Sequence, residues 1–134
     1  MEKKIIQMLS TFSNKEGIKH TEGENSYTVI ISKQDDFFSE VCIPKDVFEY
    51  FITVKSMKDG SEICSDWDTT YAINNETQEE LEEDHIGRIK SLIERLLNNS
   101  MRLKYTQCKK KKPILEEKSD GKWMQMVPFT INNC

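Results

Sequence analysis

From Thr77 to Asn98 the apolar residues fall at helical spacing: Leu81, Ile86, Ile89, Leu92, Ile93, Leu96 and Leu97 form one stripe. This is the longest helix the chain predicts, and a helix with one apolar face has to lie on another element. Its start is marked by a T-x-x-E capping box, Thr77 and Glu80, in which the threonine oxygen and the glutamate each accept an otherwise orphaned backbone N–H. It stops at Asn98-Asn99, and Gly87 weakens it by roughly 1 kcal/mol relative to Ala without breaking it.

The surface it needs is supplied by β-patterned segments. From Val47 to Lys55, Phe48, Tyr50, Ile52 and Val54 alternate with Glu49, Thr53 and Lys55, so one face is apolar and the other wet, with Phe51 the exception on the wet face. Tyr27 to Ser32 and Phe37 to Ile43, the latter closed by Pro44, read as two earlier strands joined by a turn at Asp35-Asp36. Lys58-Asp59-Gly60 carries the Asp-Gly signal of a tight hairpin, with Ser61 to Trp67 as the return strand. Met101 to Cys108 and Lys122 to Ile131 read as further strands on either side of the Lys109 to Lys112 run, with a turn at Ser119-Asp120-Gly121 and an edge position for Pro128. Residues 2 to 13 place Ile5, Ile6, Met8, Leu9 and Phe12 at helical spacing, and Gly17 and Gly23 bound a polar connection that includes His20. The pattern predicts one α+β domain: a mainly antiparallel sheet of about five to seven strands, an N-terminal helix, and the 77–98 helix packed on one face.

Charge is distributed very unevenly along this framework. Ten acidic residues and no Lys or Arg lie between Asp59 and Asp84, whereas eleven Lys or Arg face four acids in the remaining residues 85–134. The formal net charge of −4 therefore conceals a strong dipole. A concentrated acidic surface repels nucleic acid and attracts basic partners.

A chain of 134 residues suits one domain, since roughly two thirds of its unfolded surface can be hidden without disulfide staples. No segment approaches the ~18 consecutive apolar residues of a membrane-spanning helix. The basic start, Met1 to Lys4, is followed by an apolar run that breaks at Gln7 and stops at Ser10 without a small-residue cleavage site, so a cytoplasmic chain is expected. On that expectation Cys42, Cys64, Cys108 and Cys134, none closely paired, are reduced thiols, and the sequons at Asn75 and Asn98 stay unmodified.

Chemistry-bearing groups are sparse. Asp66 and Asp68 share one side of a strand and invite a metal or acid–base role, yet acids at a strand end before a loop are usually solvated, and no EF-hand or H-E-x-x-H pattern occurs. A Cys64–His85 nucleophile pair is weighed against a structural thiol and a histidine bordering the apolar stripe, and the structural reading is preferred. Five scattered glycines build no phosphate cradle. The expectation is no catalytic residue, no metal and no cofactor. The Lys109 to Lys112 run, between Tyr105 and Trp123, has the composition of a nucleic-acid patch, but four lysines before Pro113 are more often a solvated hairpin tip, which is the reading preferred.

The acidic block is the stronger candidate. Glu79, Glu80, Glu82, Glu83 and Asp84 fill nearly every position of the first helical turns, and their mutual repulsion is relieved most readily by a basic partner. Glu76 adds to the array, and Trp67 and Tyr71, beside Asp66 and Asp68, supply aromatic anchors of the kind that interface hot spots favour. In this general character, small, acidic, cysteine-containing and without motifs, the chain resembles the immunity proteins of bacterial contact-dependent and related polymorphic toxin systems. That resemblance implies a non-enzymatic inhibitor that binds a cognate toxin domain, often a basic nuclease, and blocks its active site, the acidic block standing in for a phosphate backbone. The alternative is a nucleic-acid-binding or regulatory accessory protein that uses the lysine run. A second copy of the chain, acidic patch to basic run, is a further partner to consider.

Overall fold

The computed structural model describes residues 1–105 and 112–127. α1 (Glu2–Ser10) leads into five strands, β1 (Ile18–Glu22), β2 (Ser26–Ile31), β3 (Phe37–Pro44), β4 (Glu49–Ser56) and β5 (Glu62–Thr69). Then come α2 (Gln78–Asn98) and three more strands, β6 (Met101–Lys104), β7 (Ile114–Ser119) and β8 (Lys122–Val127). The expected α+β class holds, and every strand pairing is antiparallel. The strands are divided, however, between a five-stranded meander in chain order and a separate three-stranded sheet, β6-β7-β8.

Alternation along each strand sorts the meander into two faces. Val29, Val41 and Ile52 stand in register across β2, β3 and β4 on the face that the helices cover, as do Tyr27 with Ile43 and Val54 with Cys64. Against them pack Ile5, Met8 and Leu9 of α1, Phe12 just beyond it, and Ile89, Leu92, Ile93, Leu96 and Leu97 of α2. Each such fully buried aliphatic side chain contributes on the order of 1.5 to 3 kcal/mol. On the opposite face Thr28, Cys42, Phe51 and Trp67 form the matching row, which explains Phe51: it is half-buried between two side chains of its own sheet.

Two strands escape the sequence pattern. β1 lies where a polar connection is expected, because only Ile18 of its five residues is even partly buried, and its ladder with β2 holds it. His20 therefore sits on an edge strand, not in a loop. β7 is hidden by its charges: Glu116 and Glu117 are buried, each neutralised by an arginine, Arg102 and Arg95 respectively. β6 ends at Lys104 and β8 is described to Val127, so Cys108 and Pro128 lie outside the described residues.

One glycine is required by packing. Gly17, at φ +81°, turns the chain into β1, and a Cβ there would lie 3.0 Å from Lys33 Cγ and 3.2 Å from the Ser32 carbonyl oxygen. Lys33 is held in that place because its ammonium donates to the Leu97 carbonyl at the C-terminal end of α2, where a cation also suits the helix dipole.

Candidate protein-binding surface

β5 is an outer strand of the meander, and eight residues separate its end from the start of α2. Thr70 donates its N–H to the Phe48 carbonyl at 2.8 Å, so by alternation Trp67 and Thr69 aim theirs away from β4, toward the open edge. Those two N–H groups are taken up locally: Asp66 Oδ1 accepts from Trp67 at 2.8 Å and Asp68 Oδ1 from Thr69 at 2.9 Å. Asp66 and Asp68 do share a side of the strand, in register with Ile52 and Tyr50. Asp68 also pairs with Arg88 of α2 at 2.5 Å, a half-exposed contact worth no more than about 1 kcal/mol.

The connection from Thr70 to Thr77 is tied at both ends. At its root the Thr70 hydroxyl lies 2.8 Å from His85 Nδ1 and 3.4 Å from Arg88, while Arg88 also donates to the Thr69 carbonyl. Farther on, Glu76 Oε2 accepts the Ile73 N–H at 2.8 Å, and Asn75 turns the chain at φ +61°, a left-handed conformation that asparagine tolerates. The capping box forms in part: Thr77 Oγ1 accepts the Glu80 N–H at 3.1 Å, but the Glu80 carboxylate takes the Thr77 hydroxyl instead of its backbone N–H.

The predicted acidic residues therefore divide by role. Glu82 is engaged within the fold: it accepts from Gln78, pairs with Lys4 at 3.3 Å and faces the chain's own amino group. The Gln78 hydrogen bond, opposed by burial and joined by Lys4, holds its carboxyl below the usual range. Glu76 and Glu80 serve local hydrogen bonds, whereas Glu79, Glu83 and Asp84 are exposed and have no ion pair among the described residues. Trp67 and Tyr71 are exposed, 56% and 73%, and Ile73, which sequence reasoning passed over, follows in the connection and is 70% exposed. An isoleucine outside any periodic run was the available signal for it.

Two other expectations resolve at the root of this surface. His85 does not border the stripe; it is fully buried, edge-on to Phe48 at 5.4 Å between ring centroids, with its Nε2 unpartnered among the described residues. Burial, and then the nearby Arg88 charge, push its pKa down to about 4. Cys64 sits six residues back along β5 from Thr70, ~20 Å at strand rise, against the second sheet, where the Leu115 N–H approaches its sulfur. Burial drives its thiol up to about 11, so at neutral pH thiol and imidazole are both uncharged and form no activated pair. Cys42 and Cys64 are free thiols; Cys108 and Cys134 lie outside the described residues. Among the described residues no three His, Cys, Asp or Glu side chains converge as metal ligands, and no helix is long and apolar enough to cross a membrane.

Of the lysine run, Lys109 to Lys111 lie outside the described residues, and Lys112 pairs with Glu62 at 2.7 Å. Compared with known proteins, the chain matches no family model, no curated sequence and no solved structure.

Proposed function

We propose that this chain is a non-enzymatic inhibitor, an immunity protein that neutralises a cognate basic, nuclease-type toxin domain through the surface formed by the end of β5, the 70–77 connection and the first turns of α2. One observation carries the reading. Of the eight large apolar side chains exposed among the described residues, Trp67, Tyr71 and Ile73 fall within seven positions of one another, inside the one segment that holds ten acids and no cation. Exposed apolar anchors and an excess of one sign of charge in the same segment are what a protein interface needs for affinity and for fast encounter respectively.

The two contributions separate kinetically. Glu79→Lys with Glu83→Lys should slow association with a basic toxin domain, and added salt should shrink the difference, because exposed charges are screened over roughly 8 Å at physiological ionic strength. Trp67→Ala with Tyr71→Ala should instead speed dissociation and raise Kd by ~30-fold or more. Stopped-flow association and dissociation rates at low and high salt check both, and unchanged binding by the acidic variant would sink the phosphate-mimicry mechanism.

A further inference from the structure

The ion pairs around α2 leave unpaired groups of opposite sign toward its two ends. Glu62, Asp68 and Glu82 are paired with Lys112, Arg88 and Lys4, and the buried Glu116 and Glu117 with Arg102 and Arg95. What remains at the N-terminal end of α2 is Glu79, Glu83 and Asp84, all exposed, and the connection that leads into this end exposes Tyr71 and Ile73. What remains at the other end lies on the second sheet, which is fastened to the C-terminus of α2 by Asn99 donating to Glu117 at 2.9 Å and Lys118 N–H donating to the Ser100 carbonyl. On the outer face of that sheet Arg102 stacks 4.1 Å over the Trp123 ring centroid with Lys118 at 5.9 Å, and Lys104 stands on the same side as Arg102. Lys104 and Lys118 are exposed with no ion pair among the described residues, and Tyr105, 71% exposed, follows Lys104 directly.

We propose that this outer face docks a second copy of the chain, receiving the neighbour's Tyr71, Ile73, Glu79, Glu83 and Asp84. Two unpaired ammonium groups on the face of the Arg102–Trp123 stack meet three unpaired carboxylates on a segment that exposes Tyr71 and Ile73, so charge and apolar character match together. One molecule cannot satisfy both ends by itself, because the 21 residues of α2 hold them ~30 Å apart. The contact joins unlike patches, so it closes as an antiparallel two-fold pair, each acidic end on the other's lysine face, or propagates head to tail into a ring or a chain. A basic toxin domain would displace the neighbour from the acidic end, which makes self-association a reserve state of the surface proposed above; its test needs no toxin, so the two readings can fail separately.

Sedimentation of the purified full chain checks it. At low salt the weight-average mass should climb above the monomer value with concentration, and high salt should return it to monomer. Lys104→Glu with Lys118→Glu should remain monomeric, as should Glu79→Lys with Glu83→Lys, since each variant carries the same sign at both ends. An equal mixture of the two variants should associate again. A wild type that stays monomeric at low salt up to its solubility limit overturns the proposal, and that measurement depends on no variant folding. Association that survives in either variant overturns it too, as does capture of a labelled single-stranded oligonucleotide or an acidic peptide by the lysine face while the wild type remains monomeric.

Discussion

His85 is wholly removed from solvent, and its Nδ1 lies 2.8 Å from the hydroxyl oxygen of Thr70, the residue at which β5 gives way to the connection toward α2. The groups around it are Asp84 and Arg88 on α2, Phe48 and Tyr50 from the β4 side, and Asp68, which holds Arg88 in place. Of the charges there only Asp84 favours a proton on the ring, and burial and Arg88 outweigh it.

Stability should therefore fall on mild acidification. The unfolded imidazole takes up a proton near pH 6.5 and the folded one only near 4, so the unfolded state binds more protons in between and is favoured as pH drops through that window. The stabilisation is complete above about pH 6.5 and up to ~3 kcal/mol of it is gone by about pH 4. Denaturant melts of the wild type and His85→Leu across this range should converge toward acid; parallel pH profiles would show that the ring is not the titrating group. Carboxylates whose pKa values are depressed, such as Glu117, are common to both proteins and cancel in the comparison.

Arg95→Leu should destabilise by about 3 kcal/mol, because it strands a buried carboxylate. Burial pushes the Glu117 carboxyl up, and Arg95 and Asn99 together outweigh it, leaving the group ionised in a site only 4% exposed. Adding Glu117→Leu should recover most of the loss, since the residual cost lies in the orphaned charge and not in the missing pair. Chemical denaturation of the single and double variants reads this directly, and a double variant no more stable than Arg95→Leu would count against it.

Two glycine replacements should act with opposite sign. Gly87, inside α2, has open space where a Cβ would be built, so Gly87→Ala should raise stability by roughly 1 kcal/mol. Gly17→Ala meets Lys33 Cγ and the Ser32 carbonyl from a positive φ and should lower stability by at least that much. Midpoints of thermal unfolding measured side by side check the contrast.

How far the fold could be read in advance depended on whether a segment's burial shows in its own residues. α2 and the β4 alternation are periodic because their apolar faces meet the core directly, and both appear within a residue or two of their expected bounds. β1 and β7 carry no such imprint: β1 depends on its ladder to β2, and β7 buries carboxylates that only arginines from elsewhere make tolerable. His85 was closer to legible, since it stands four residues after Leu81 and four before Ile89, on the stripe itself. For the candidate surface, density of charge was visible in the chain, but which acids face inward to Lys4 or Arg88 and which are left to solvent depends on contacts between residues far apart in it.

The hydrogen bonds from Trp67 and Thr69 to the aspartates just before them carry a consequence beyond partner choice. A row of strands with a bare margin ordinarily offers the next polypeptide a template, and growth by accretion is the hazard that sheet proteins live with. Along this margin the donors are already engaged by the strand's own side chains, and whatever settles there must first displace a carboxylate. Asp66 and Asp68 act as a terminator written into β5: the sheet ends after five strands by its own chemistry, with no cover needed over that stretch of its rim.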